Sequence, residues 1–426
     1  MGVDNQTTDQ FTSKANKQTV VVTGVSIVDP LGGDTNAFFE RLLSGFCYQG
    51  HFRSQYGDPA VEAAAVLCDP FDFSARWGKP PHPATDRYAQ LGIYAGLEAW
   101  QQAGLAASEH DPDAGVMWGT ALGGMMAYES GLDRAWIQNK PRSSPLAVVQ
   151  GMNNSCASHL AIDLGLGNTC LTYSVACSSA GAAIGEGYRR IADGHAKRML
   201  VGGSDMPLLY GVVKAWQGMR VLAQPVDGEG SPACLPFDAR RNGLMLGEGA
   251  AALVLETLES AQERGAPILA VLAGYGTNCD HNNLVRPNQP GQVRAMQAAL
   301  ADAQLTPTDI GYVNAHGTAT HEGDPIEIAG IREVFGEHAA NLPVSATKAS
   351  HGHMMGATGA VEAVISVLAL NRGSIPPTAN LQQIDPACEG VRHVKGEALS
   401  QELNAVMSNS FAFGGSNAVL VFKQAD

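Results

Sequence analysis

Leu171-Thr-Tyr-Ser-Val-Ala-Cys177-Ser-Ser-Ala-Gly-Ala-Ala-Ile-Gly185 changes character at its middle. Up to Val175 it reads as a short strand. From Ser178 the apolar residues Ala180, Ala183, Ile184, Tyr188 and Ile191 recur at helical spacing, as far as Asp193-Gly194. Cys177 therefore stands at a strand-to-helix elbow, with the small residues Ser178, Ser179, Ala180 and Gly181 letting the turn close. A thiol at a helix N-terminus meets partial positive charge, and the expectation is a thiol biased toward thiolate. Most lone cysteines are small buried hydrophobes, so the elbow by itself leaves both readings open.

The same alternation extends outward. Thr19-Val-Val-Val-Thr-Gly-Val25 is a buried strand, and apolar residues at helical spacing follow from about Asp86 to Ala103. Gly115-Val-Met-Trp-Gly119, Arg198-Met-Leu-Val-Gly-Gly203 and Gly249-Ala-Ala-Ala-Leu-Val-Leu-Glu256 read as further strands, the last followed by a polar helix from Leu258 to Arg264. Ile268-Leu-Ala-Val-Leu-Ala-Gly-Tyr-Gly276 then repeats the character of the first strand. The expectation is a layered α/β fold of two similar halves, 19–261 carrying Cys177 and 262–426 carrying His316 and His353. The polar stretch 1–18 is read as a disordered tail. The proline-rich patches 80–83 and 375–377 are read as surface turns.

The chain has 426 residues, 45% of them hydrophobic, which suffices for a large core. Its net charge of −14 argues against nucleic acid as a partner. Eight cysteines without a C-x-x-C pair point to reduced thiols in a cytoplasmic protein rather than a disulfide framework. No apolar run is long enough to span a membrane.

Three more segments carry chemistry-bearing residues. Ile310-Gly-Tyr-Val-Asn-Ala-His316-Gly-Thr318 ends a strand on a histidine, and Asp324-Pro-Ile-Glu327 reads as a helix start with Asp at the N-cap. In Val344-Ser-Ala-Thr-Lys348-Ala-Ser-His351-Gly-His353-Met-Met-Gly356 a strand runs into a glycine-rich loop and then an apolar helix. Lys348 and Glu362 lie there in a stretch nearly free of other charge, which reads as a partly buried pair. Asn409-Ser-Phe-Ala-Phe-Gly-Gly-Ser-Asn417 joins two strands, and Phe411 and Phe413 are read as a gate. Read singly, these are a loop-capping histidine, a solvated lysine and a hairpin turn.

Together the four segments resemble the β-ketoacyl-acyl-carrier-protein synthases of the thiolase superfamily, of the elongating type II fatty acid or polyketide kind, over about residues 19–423. The resemblance rests on Ala176-Cys177-Ser178-Ser179, on Asn314-Ala-His316-Gly-Thr318, and on Lys348 followed by His353 and Gly356. Pro236-Phe-Asp238 and Gly247-Glu-Gly-Ala250 add to it. His316 lies 139 residues beyond Cys177, and His353 37 beyond His316. The resemblance implies a five-layered αβαβα fold and a decarboxylating condensation of an acyl thioester with malonyl-acyl carrier protein. In that reading Cys177 carries the acyl chain, and its N–H and that of Phe413 form the oxyanion hole. His316 and His353 hold the thioester carbonyl, Lys348 and Glu362 orient the His353 loop, and Phe411 and Phe413 gate the site.

It further implies a dimer, with itself or with a related subunit. By position, Leu122, Met125, Met126, Met152 and Trp216 would line the acyl pocket. Lys140, Arg142 and Arg220 would dock the acidic carrier, which brings substrates on its phosphopantetheine arm. No resident cofactor or metal is expected. His353 is preferred to His351 because it keeps the family spacing. The loop lacks the Thr-Gly common before that histidine, Asp324-Pro-Ile-Glu327 looks more like modular polyketide ketosynthases, and Trp216 stands where relatives carry a smaller aromatic. A condensing-fold acyltransferase that forms an ester or amide is the alternative. A chain-length-controlling subunit usually lacks the cysteine. His316, His321, His351 and His353 match no common zinc spacing, and Gly274-Tyr-Gly276 has Cys279 where a dinucleotide fingerprint has its third glycine.

Overall fold

The computed structural model describes residues 17–28, 34–57, 59–68, 71–140, 142–225, 228 and 231–425. Most of the tail expected over 1–18 lies outside the described residues.

The first half contributes β1 (Val20–Val28), α1 (Arg87–Gln102), β2 (Ala114–Gly119), α2 (Ser155–Leu164), β3 (Cys170–Tyr173), α3 (Ser179–Ala192), β4 (Arg198–Asp205) and β5 (Gly249–Thr257). The second contributes β6 (Ala270–Cys279), α4 (Gln289–Ala303), β7 (Ile310–Asn314), α5 (Gly323–Phe335), β8 (Pro343–Ser345), α6 (Lys348–His351), α7 (Thr358–Arg372), β9 (Ala405–Phe411) and β10 (Ser416–Lys423). Helix α1 starts where the sequence places it, with the Asp86 side chain accepting from the Tyr88 N–H.

The halves share one topology. The first five strands lie in the order β3-β2-β4-β5-β1, and the second five in the order β8-β7-β9-β10-β6. In each, the second strand is parallel to the third and fourth, and the fifth is antiparallel to the fourth and first. The halves meet where β1 and β6 pair antiparallel, Val21 with Val271 and Val22 with Ala270.

Strand residues alternate between two apolar surroundings, as a pleat buried on both faces requires. In β5, Ala251, Leu253 and Leu255 face the central core, while Ala250, Ala252 and Val254 face the outer layer with α1. In β10, Ala418, Leu420 and Phe422 face that same centre, while Val419 and Val421 face the layer of α4 and α5. Helices α3 and α7 fill the centre and touch strands of both halves. The layers are thus helices, sheet, central helix pair, sheet, helices: the thiolase-like αβαβα arrangement.

The outer helices press directly on the first strand of each half. A Cβ at Gly24 of β1 would collide with the Ala99 carbonyl of α1, and one at Gly276 of β6 with the Ala295 carbonyl of α4. Pro376 and Pro377 depart from expectation: they are buried rather than at a surface turn, beside Ile375, which packs into the central core.

A methyl group at Gly276 has backbone on its far side, so Gly276→Ala should cost about 1–3 kcal/mol or more. Gly131, in the helix Met125–Leu132, has open space around its Cβ position. Gly131→Ala should be neutral or gain up to about 1 kcal/mol. Denaturant unfolding of both variants checks this, and equal effects would contradict the packing.

Candidate active site

Cys177 lies in a three-residue 3₁₀ turn, Ala176–Ser178, between β3 and α3. Ala176 has φ 50°, a left-handed conformation that costs a non-glycine residue energy and marks a strained elbow. The corner is closed by Ser179, whose Oγ accepts from the Val175 N–H at 2.9 Å and donates to the Ala176 carbonyl at 2.6 Å. The end of β2 lies directly beneath, because a Cβ at Gly119 would overlap the backbone of Ala180.

The second half builds a matching corner. A 3₁₀ turn, Met355–Ala357, precedes α7, and its first residue, Met355, has φ 46°. His353 stands just before it. Its N–H donates to the Met245 carbonyl and its own carbonyl accepts from the Gly247 N–H, at 2.7 and 3.0 Å. So pinned, the ring sets Nε2 3.1 Å from Cys177 Sγ and Nδ1 2.9 Å from Thr358 Oγ1.

His316 follows β7. Its N–H and that of Gly317 donate to the two oxygens of Glu327, at 2.7 and 2.8 Å. The His316 and His353 rings meet edge to face, 5.6 Å apart at 86°. Lys348 Nζ donates to the His316 carbonyl and to Glu362 Oε1, all three residues being buried. Asp205, at the end of β4, accepts from the N–H groups of Ala121, Leu122 and Gly356 at 2.7, 3.1 and 2.7 Å. It thereby ties a loop of the first half to the corner of the second.

The electrostatics follow from burial and the one ammonium. Both histidines are held well below the usual imidazole range, first by desolvation and then by Lys348, so both are neutral. Burial pushes Glu362 up to about 7 against the pull of Lys348, and Asp205 up to about 6 against its backbone donors. Burial also pushes the Cys177 thiol up to about 11, opposed by the N–H of Phe413, by Lys348 and by the N–H of Cys177 itself. This corrects the expectation of a resting thiolate: the thiol is buried, and desolvation outweighs the helix end.

Other site residues fall as follows. Phe413 opens the turn between β9 and β10 and stacks on Trp216, with centroids 5.7 Å apart at 27°. Phe411 is buried, 6.1 Å from the His316 ring. His351 is buried but engaged elsewhere, with Thr347 Oγ1 and the Gly352 carbonyl at 2.9 and 2.8 Å. Cys388, although it stands in the polar segment Asp385-Pro-Ala-Cys388-Glu389, is buried in a separate apolar cluster.

Asp324 is not the cap of its helix. That helix begins at Gly323, and Asp324 Oδ2 instead accepts from the Phe237 N–H at 2.8 Å. Glu327 likewise serves the His316 loop rather than a capping box. Burial recruits both carboxylates for contacts between segments that a local pattern does not show. Asp205 and Thr358 were not singled out in the sequence; their only signals are a lone carboxylate after Gly-Gly-Ser and a hydroxyl at a helix start.

A cavity of about 410 Å³ opens onto Cys177, His316 and His353. Trp216, Phe413 and Arg220 line it, whereas Leu122, Met125, Met126, Met152, Lys140 and Arg142 do not. Met125 and Met152 are exposed, and Leu122 and Met126 pack in part against the first-half outer core. Cys177, His316 and His353 also form the one group of three potential metal donors among the described residues, within 4.8 Å of one another.

A nucleophilic thiol, two neutral imidazoles and two backbone donors at one elbow suit acyl transfer coupled to carbanion formation. The comparisons with known proteins agree. Residues 17–261 match the profile of the β-ketoacyl synthase N-terminal domain, and residues 269–382 that of its C-terminal domain. The chain is 36% identical over 418 residues to nodulation protein E of Rhizobium leguminosarum bv. trifolii, covering 95% of this chain and 99% of that protein. It is 36% identical over 409 residues to 3-oxoacyl-[acyl-carrier-protein] synthase 2 of Staphylococcus aureus, covering 95% and 98%.

Among solved structures, a β-ketoacyl synthase from Burkholderia phymatum STM815 superposes with a TM-score of 0.86 at 33% identity, over 96% of this chain and all of that one. The ishigamide ketosynthase/chain length factor gives 0.88 at 29%, with the same coverage. A type II polyketide ketosynthase in complex with its acyl carrier protein (AntDE:AntF) gives 0.85 at 26%, again over 96% and 100%. Corner geometry, paired half-folds and these matches converge: the chain belongs to the β-ketoacyl synthase family.

Proposed function

We propose that this enzyme joins an acyl group carried on Cys177 to a malonyl thioester, releasing CO₂ and leaving a β-ketoacyl thioester on acyl carrier protein. The observation that carries this reading is the convergence of Cys177 Sγ and His353 Nε2 at 3.1 Å with the His316 ring edge-on to His353. Decarboxylation generates the carbanion without a base to remove an α-proton, so neutral donors suffice. Burial and Lys348 keep both imidazoles in that form.

In the first step Cys177 sulfur attacks the acyl thioester. The thiol proton ends on the departing carrier thiol, and the N–H groups of Cys177 and Phe413 hold the tetrahedral oxyanion. Losing one such donor typically costs about 10²–10³ in rate. In the second step the malonyl C–C bond breaks, CO₂ departs, and the enolate oxygen is held by Nε2–H of His316 and His353. The carbanion attacks the acyl carbon, the C–S bond breaks, and Cys177 takes up a proton from solvent.

The acyl groups arrive on phosphopantetheine, so the reaction as written uses no resident cofactor. Arg220 and Arg286, both exposed, line the cavity mouth and suit the arm's phosphate; Lys140 and Arg142, also exposed, are further contacts for an acidic carrier.

A second subunit is part of the proposal. Strand β3 is a sheet edge with Leu171 exposed. Nearby in the first half, Trp136, Ile137, Val148 and Ile162 are each at least 66% exposed. Unpaired strand edges and large apolar patches mark interfaces. A partner over this face would also cover Met125 and Met152 and complete the acyl pocket. We place the enzyme in the cytoplasm, where its eight free thiols stay reduced. No helix among the described residues is long and apolar enough to cross a membrane.

Intact-mass analysis of carrier protein after reaction with acyl and malonyl thioesters should show the β-ketoacyl product. Cys177→Ala should abolish enzyme acylation and condensation, and condensation at the unmodified rate would refute the assignment. With the thiol near 11, its ionised fraction grows as pH rises, so alkylation of Cys177 by iodoacetamide should climb about tenfold per unit between pH 7 and 9; a plateau by pH 8 would contradict a protonated resting thiol. Replacing Trp136 and Ile137 with glutamate should shift sedimentation toward monomer, and an unchanged oligomer would place the interface elsewhere.

A further inference from the structure

The condensation uses His353 only through Nε2. Its other ring nitrogen, Nδ1, meets Thr358 Oγ1 at 2.9 Å, and both residues are fully buried. Neither group can move away easily. The His353 backbone is held by its two bonds, its ring lies between Cys177 and Thr358, and Thr358 is the first residue of α7. Nor does the hydroxyl cap its own helix: the N-cap residue is Ala357, and no side-chain cap bond is made there.

The matching position in the first half shows what the corner does without this contact. Ser179 opens α3 after the equivalent 3₁₀ turn, and its hydroxyl serves only the backbone of Val175 and Ala176. In the second half the hydroxyl is directed at an imidazole instead. A neutral imidazole has one proton, and the bond made by one ring nitrogen decides which nitrogen carries it. A threonine hydroxyl can donate to a bare Nδ1, which leaves the proton on Nε2.

Resting on the function proposed above, we infer that Thr358 is a positioning residue that donates to Nδ1 of His353. It thereby keeps the ring proton on Nε2, facing Cys177 and the incoming thioester. The Nε2–H group first donates to Cys177 sulfur, easing its ionisation, and then to the enolate oxygen. In the opposite tautomer Nε2 would present a lone pair to a developing anion.

The test combines a spectroscopic and a kinetic reading. In enzyme labelled with ¹⁵N-histidine, the His353 signals, assigned by difference with His353→Asn, should show a protonated Nε2 and a bare Nδ1. Thr358→Val should lose that preference and Thr358→Ser keep it. CO₂ release from malonyl-carrier should fall about 10- to 100-fold in Thr358→Val, with KM changed by less than about threefold, and return in Thr358→Ser. A wild-type Nδ1–H signal would overturn the inference. So would unchanged CO₂ release in a folded Thr358→Val enzyme, or a Thr358→Ser variant as slow as Thr358→Val. If the wild-type enzyme itself releases no CO₂, the function proposed above fails, and the tautomer assignment still stands or falls on the spectra.

Discussion

One buried ammonium organises the site. Lys348 is almost wholly excluded from solvent, yet its charge is answered by Glu362 and by the His316 carbonyl. An isolated buried charge would be expensive, and removing one partner of such a pair typically costs about 3–5 kcal/mol. The arrangement acts on both sides of the chemistry. The cation opposes protonation of His316 and His353, reinforcing what burial already does to them. The same field favours the thiolate at Cys177. A single charge thus reinforces the neutral state that burial imposes on the donors and lowers the cost of ionising the nucleophile, and its bond to the His316 backbone helps fix where one donor sits.

That charge lies where it does because the fold is made twice. Each half leads from a strand, directly in the first and by way of α6 in the second, into a tight corner with a left-handed first residue and then into a central helix. The two central helices pack side by side between the sheets, which brings their N-termini and both corners together. The first corner presents a thiol in its turn; the second presents an imidazole just before its turn. Asp205 fastens one to the other by accepting N–H groups from both halves. The chemistry therefore belongs to neither half: the nucleophile comes from one and the decarboxylating donors from the other.

Much of this was legible in the chain. Period-2 and period-3.6 patterns marked the strands and central helices, because strands buried on both faces and amphipathic helices leave strong signals. The elbow at Cys177 and the strand-terminal histidines were equally plain. What the sequence hid were bonds between segments far apart in the chain. Asp324 and Glu327 looked like a local helix start, and nothing in their neighbourhood announces that their carboxylates serve Phe237, His316 and Gly317. The state of the thiol was misread for the same reason. Position at a helix end is visible in sequence, whereas the burial that outweighs it depends on residues of the other half, such as His353 and Phe413. Pocket residues were the least legible: Trp216 lines the cavity, whereas Met125 and Met152 are exposed on the surface and Leu122 and Met126 pack against the outer core.

A protonated resting thiol is compatible with an efficient nucleophile once the donors are followed through the reaction. The N–H groups of Cys177 and Phe413 face the sulfur before any substrate arrives. In the proposed mechanism the sulfur becomes a thioester, a far weaker acceptor, and the same two donors are then free for the oxygen of the acyl group it has bound. In that reading, activation is stored in prearranged donors rather than in a standing anion, and the burial that raises the thiol also strengthens those donors. Phe413 couples this to recognition, because the residue that supplies one N–H stacks its ring on Trp216 at the cavity wall. Under the proposed mechanism, an acyl chain that displaced that stack would move the residue whose N–H serves the oxyanion, so one residue would read both the shape of the chain and the readiness of the site.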